Sequence, residues 1–169
     1  MDHVEHCSLL AAEIERFALA IDGLPLDLPV PSCPGWAVSD LTLHLGKVHR
    51  WAENLVRLRA PERIPGPRGD LEPTASWVRD GGTALVATLR AADPDAGMWA
   101  WGVDQHVRWW SRRQLHETLV HRMDADLAAG AAPRADAAVA ADAIDEFLVN
   151  LGAAAYFSPK VKELKGDGA

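Results

Sequence analysis

Residues 106–130 read HVRWWSRRQLHETLVHRMDADLAAG, and this stretch decides the fold. Leu115, Leu119, Met123 and Leu127 recur four residues apart, which lines them along one face of an α-helix. Gly130 follows as a normal C-cap residue, so a helix is expected over His106–Ala129. Glu117 and His121 are also four apart, on a face turned away from the leucines. Working outward, four more helical segments emerge and no convincing strand. His3–Asp22 carries Val4, Cys7, Ala11, Ile14, Ala18 and Ile21 at helical spacing, widened by Leu10 and Phe17. A second segment opens at Ser39, a good N-cap with Val38 and Leu43 placed for a hydrophobic staple. It runs through Leu41, Leu45, Val48, Ala52 and Leu55 to about Arg59. The third, Thr74–Ala92, carries Val78, Leu85 and Leu89 but is weakened by Gly81 and Gly82, at about 1 kcal/mol each relative to alanine. Asp136 caps a fifth, whose apolar stripe is Ala140, Ile144, Phe147 and Leu151. The expectation is an all-α bundle over residues 1–156 and a frayed tail over 157–169.

Two breaker-rich connectors separate these segments, one holding Pro25, Pro29, Pro31 and Pro34, the other running from Pro61 to Pro73. Connectors this long are usually ordered for a reason. Composition narrows the function. The 169 residues are 49% apolar and 24% charged, a globular balance. No apolar run approaches the ~20 residues that cross a bilayer, and the acidic start MDHVEHCSLL lacks the basic end of a secretory signal. A net charge of −7 is a poor footing for nucleic acid. The Arg–Trp patch in VRWWSRRQ reads better as a small-anion pocket using Arg112 or Arg113, with Trp110 beside it. Two cysteines make no disulfide framework, so a reduced, cytoplasmic setting is expected, with Cys7 in the core and Cys33 structural. Seven tryptophans against three phenylalanines are the odd feature. Tryptophans this dense anchor a core or line a pocket.

The chemistry rests on histidine. Glu117 and His121, on one helix face, can close on a single ion, although the same pair also reads as a solvated Glu–His pair. His44 sits at the edge of the buried stripe of the second segment. A lone histidine there is more often a hydrogen-bonded core residue than a ligand. A bundle that brings the two segments together joins His44, Glu117 and His121 into two imidazoles and a carboxylate, the catalytic zinc arrangement with one open position. His116 and His49, about 140° from His121 and His44, point elsewhere, His49 to the surface. His3 and His6 fall in a fraying first turn and His106 beside a loop, so none of these three is assigned a role.

Four blocks, VPSCPGWAVSDLTLHLGKVHRWA, ADPDAGMWAWG, WWSRRQLHETLVHRMDADLAAG and AADAIDEFL, resemble in that order the mycothiol-dependent maleylpyruvate isomerase family, of the DinB-like superfamily. The resemblance spans roughly residues 5–151 and is weakest from Pro61 to Ala75. It implies an up-down-down-up four-helix bundle with an extra helical segment. It places divalent-metal ligands, zinc foremost, at His44, Glu117 and His121. It further implies a metal that activates the thiol of mycothiol toward a small-molecule electrophile, by transfer or by cis–trans isomerisation. Family members commonly carry a C-terminal domain that helps close the site. The sequence ends at Ala169, so a single-domain relative and a piece of a longer protein both remain open, and in the first case a homodimer could supply the cover. The competing reading is a DinB-like metal- or ligand-binding module without catalysis.

Overall fold

The computed structural model describes residues 1–68, 72–156 and 159–163. Among the described residues there are five α-helices: α1 (His3–Ile21), α2 (Val38–Leu58), α3 (Ala75–Ala91), α4 (Val107–Ala128) and α5 (Ala137–Asn150). Short 3-10 helices follow at Ala153–Tyr156 and Pro159–Glu163. The expected frayed tail otherwise lies outside the described residues. Among these there is no strand, only the isolated bridges Pro29–Ala37 and Gly97–His106.

Local chemistry sets the helix ends. Asp2 and Glu5 form a reciprocal capping box at α1, Thr74 accepts from the Trp77 N–H at α3, and Asp136 caps α5 as expected. The start of α2 differs from the Ser39 cap. Asp40 reaches back to accept from the Ala37 N–H at 2.9 Å, while the Ser39 N–H is committed to the Leu26 carbonyl. The carboxylate wins because it also meets the positive end of the helix dipole.

Helices α1 and α2 each pack against both α3 and α4. Cross-helix partners give the directions. His3 meets Ser111 and Glu13 meets Arg122, so α1 and α4 are parallel; Gly46 meets Trp77 and Glu53 meets Thr88, so α2 and α3 are parallel. His3 meets Leu89 but Glu15 meets Arg79, and His44 meets Glu117 but Trp51 meets Trp110. Those two pairs are therefore antiparallel. The path is up-down-down-up. Because α2 and α3 point the same way, the connector between them must travel back along the bundle, which is why it is long.

The two glycines that weaken α3 on paper are there for packing. A Cβ on Gly81 would run into the Arg50 guanidinium, and one on Gly82 would stand 2.7 Å from Ile14. Gly46 likewise admits the Trp77 ring, over which Arg50 lies at 4.1 Å.

Two expectations are corrected. The α5 stripe is overturned at its centre: Ile144 and Phe147 are 63% and 57% exposed, Ala140 and Leu151 are half-buried, and Val139, Glu146 and Asn150 face the bundle. Four helices already close the core, so α5 is an outer addition held largely by polar contacts. The first turn of α1 is pinned rather than frayed. His3 bonds Ser111 and the Leu89 carbonyl, and His6 is buried beside Asp142.

His49, expected at the surface, is fully buried because α2 is wedged between two neighbours. The Thr118 hydroxyl donates to the Gln114 carbonyl, so it accepts from His49 Nε2–H at 2.9 Å. Burial pushes the His49 pKa down to about 3. The unfolded chain therefore takes up a proton near pH 6.5 that the folded chain refuses until about pH 3. Stability is full above that window and is expected to fall through it, by roughly 1 kcal/mol per pH unit. Urea midpoints from pH 7 to 4 should fall more steeply for the wild type than for His49→Gln; parallel slopes would contradict the assignment.

Candidate metal centre

The antiparallel register of α2 and α4 brings three predicted groups to one point. His44 Nε2 lies 3.0 Å from Glu117 Oε1, and His121 Nε2 lies 3.3 Å from the same oxygen. The donor atoms all fall within 4.8 Å of one another. Ligands of a tetrahedral ion with bonds near 2.0–2.1 Å stand about 3.3 Å apart, so the two separations from Glu117 Oε1 are compatible with a divalent ion held by these three donors. His44 leaves 35% of its side chain exposed, which gives the point access from solvent.

Supporting groups orient each ligand. Asp124 Oδ2 lies 2.8 Å from His121 Nδ1, an outer carboxylate of the kind that fixes a tautomer and turns Nε2 toward an ion. Ser32 donates to the other Asp124 oxygen at 2.6 Å. Arg113 Nη2 lies 2.5 Å from Glu117 Oε2, leaving Oε1 to face the imidazoles. Burial pushes the Glu117 carboxyl up, but hydrogen bonds from His121 and His44 and the Arg113 charge outweigh it and hold it well below the carboxylate range. Burial likewise lowers His121, yet the Glu117 and Asp124 carboxylates raise it above its ordinary value.

Other nominated residues are placed differently. Trp110 is fully enclosed, its Nε1 donating to the Trp99 carbonyl, so its indole is a core group. Arg112 turns to α5, where Asp142 and Asp145 hold it. His116 also faces α5, 2.6 Å from Asp142. Five tryptophans, Trp51, Trp99, Trp101, Trp109 and Trp110, pack edge to face or tilted with centroids 4.9–6.1 Å apart. The tryptophan excess therefore builds core more than pocket. Trp36 is different: its ring lies 5.1 Å from that of His44 and 6.2 Å from that of His121.

Asp124 is three residues from His121, so helical spacing could have nominated it as the orienting group. Nothing in the spacing signals Cys33, whose thiol joins His121 and Asp124 in a second set of close ligand atoms. Burial and the Asp124 charge push that thiol up, so it stays protonated.

These features define a helical bundle with a two-histidine, one-carboxylate candidate site on antiparallel helices. Residues 7–126 match the model of the mycothiol maleylpyruvate isomerase N-terminal domain, and the chain belongs to that family. The matched segment contains His44, Glu117 and His121 and ends before α5. Comparison with curated proteins and with solved structures gives no significant match. No helix among the described residues is long and apolar enough to cross a membrane.

Proposed function

We propose that this protein is a divalent-metal-dependent enzyme that uses a low-molecular-weight thiol, mycothiol, for thiol transfer or cis–trans isomerisation of a small electrophile. The observation that carries the reading is the convergence of His44 Nε2, His121 Nε2 and Glu117 Oε1 on one point. A divalent ion, zinc in the first instance, supplies there a positive charge that lowers the pKa of an adjacent thiol, so that a thiolate nucleophile exists at neutral pH. The chain's own residues prepare that chemistry. Asp124 holds His121 in the tautomer with a free Nε2, and Arg113 turns Glu117 so that one oxygen faces the site. Trp36 places an apolar ring beside both imidazoles, where it limits water and offers a surface to an unsaturated substrate.

Elemental analysis of purified protein should find close to one equivalent of metal in the wild type and much less in His44→Ala. Addition of mycothiol with a panel of electrophiles should give turnover that chelator abolishes and zinc restores. An absence of metal in the wild type would overturn the reading. A second reading is a metal- or ligand-binding module without catalysis, since the same three donor atoms could hold an ion whether or not a thiol reacts there. Full metal occupancy without thiol-dependent turnover across the panel would select it.

A further inference from the structure

Glu146 lies on α5, beyond the matched segment, and is buried to 2% exposure. Its Oε2 is 2.7 Å from Arg113 Nη1, while the other arm of that guanidinium reaches Glu117. Asn150, one turn further along α5, donates to Glu146 Oε1 at 3.0 Å. The Asn150 Oδ1 accepts from the Trp109 indole at 3.0 Å and from the Val103 N–H. A continuous polar chain thus runs from the α3–α4 loop through α5 to the carboxylate between the two imidazoles. We propose that Glu146 is a positioning residue for the metal centre, sharing the charge of Arg113 so that Glu117 stays available to an ion. This rests on reading His44, Glu117 and His121 as an ion's ligands.

The argument is one of charge and geometry. A guanidinium has five donors and accepts two carboxylates at once. With both present, one cation is divided between two anions, and the cluster keeps a net negative charge to offer a divalent cation. Without Glu146 the whole guanidinium charge falls on Glu117, in a site partly shielded from water, where such charges interact strongly. Arg113 and the ion then compete for the same carboxylate. Removal of both Arg113 and Glu146 takes away the competitor along with its neutraliser, which restores the charge balance but not the orientation that Arg113 gives Glu117.

Zn2+ affinity, measured by competition with a chromophoric chelator, tests this, with the absorption spectrum of the Co2+-loaded protein as a second readout. Glu146→Gln is expected to bind Zn2+ about 10–100-fold more weakly than the wild type and to alter the Co2+ spectrum. Arg113→Leu/Glu146→Leu is expected to bind Zn2+ more tightly than Glu146→Gln, because the competing charge is gone, and to stay below the wild type, because Glu117 has lost the guanidinium that turns it. Should Glu146→Gln fail to fold, Glu146→Asp keeps the charge, changes only its reach, and should show a smaller loss in the same direction. A residue that merely docks α5 would lower thermal stability and leave both metal readouts unmoved. Folded Glu146 variants with wild-type affinity, or a double variant as weak as the single, would overturn the proposal. A wild type that binds no Zn2+ would overturn it together with the reading of the ligands, so the two failures are distinguishable.

Discussion

His121→Ala is expected to lower zinc affinity by well over about 100-fold. Loss of an outer partner that only orients a ligand costs about 10–100-fold, and His121 is nominated as a ligand itself. It also stands at the centre of its network, with Nε2 toward Glu117 and Nδ1 toward Asp124. The alanine variant leaves His44 and Glu117 as the two remaining candidate ligands, too few to hold an ion against water. Asp124→Asn should fall between the two, since it weakens the orienting bond and leaves His121 in place. Zinc titration of the three proteins checks this ranking. Equal affinity of wild type and His121→Ala would remove His121 from the site.

Arg122→Met is expected to cost about 3–5 kcal/mol of stability with little direct effect on the metal centre. Arg122 is 4% exposed and lies 2.9 Å from Glu13 Oε2, itself on a residue 5% exposed. The same guanidinium bonds Asp126 and the Arg134 carbonyl, each at 2.5 Å, tying α1, α4 and the approach to α5 together. Methionine keeps most of the stem's packing but strips Glu13 of its buried partner, leaving Arg16, whose side chain is 63% exposed. The penalty is that of a buried charge left short of partners. Accordingly, Glu13→Leu/Arg122→Met should recover most of the loss. Urea unfolding at neutral pH measures both, and a loss below about 1 kcal/mol for the single variant would show that Arg16 suffices.

What could be read from the sequence was what helix geometry makes local. The four-residue spacing of Glu117 and His121 puts them on one face whatever surrounds the helix, and the same holds for the Leu115–Leu119–Met123 line. His44 joined them only on the supposition that α2 and α4 meet, which is a tertiary fact. For the same reason helical spacing alone misplaces His49. A wheel with one buried side sends it outward, but α2 has two neighbours and buries His49 against Thr118. The α5 stripe failed because apolar spacing shows which residues share a face and not whether any core remains for that face to join. Trp36 and Cys33 sit on a loop with no period, so nothing local could place them beside His121.

His44 and Glu117 are 73 residues apart, on helices connected only through the rest of the bundle. An ion held by both would act as a reversible cross-link across nearly half the chain, formed only once the whole bundle has assembled. Its binding energy would then be folding energy. At free ion concentrations a hundred times the dissociation constant, the folded state would gain about 3 kcal/mol over the chelated protein. The availability of metal in the cell would thereby govern how long the protein survives as well as whether its site is filled.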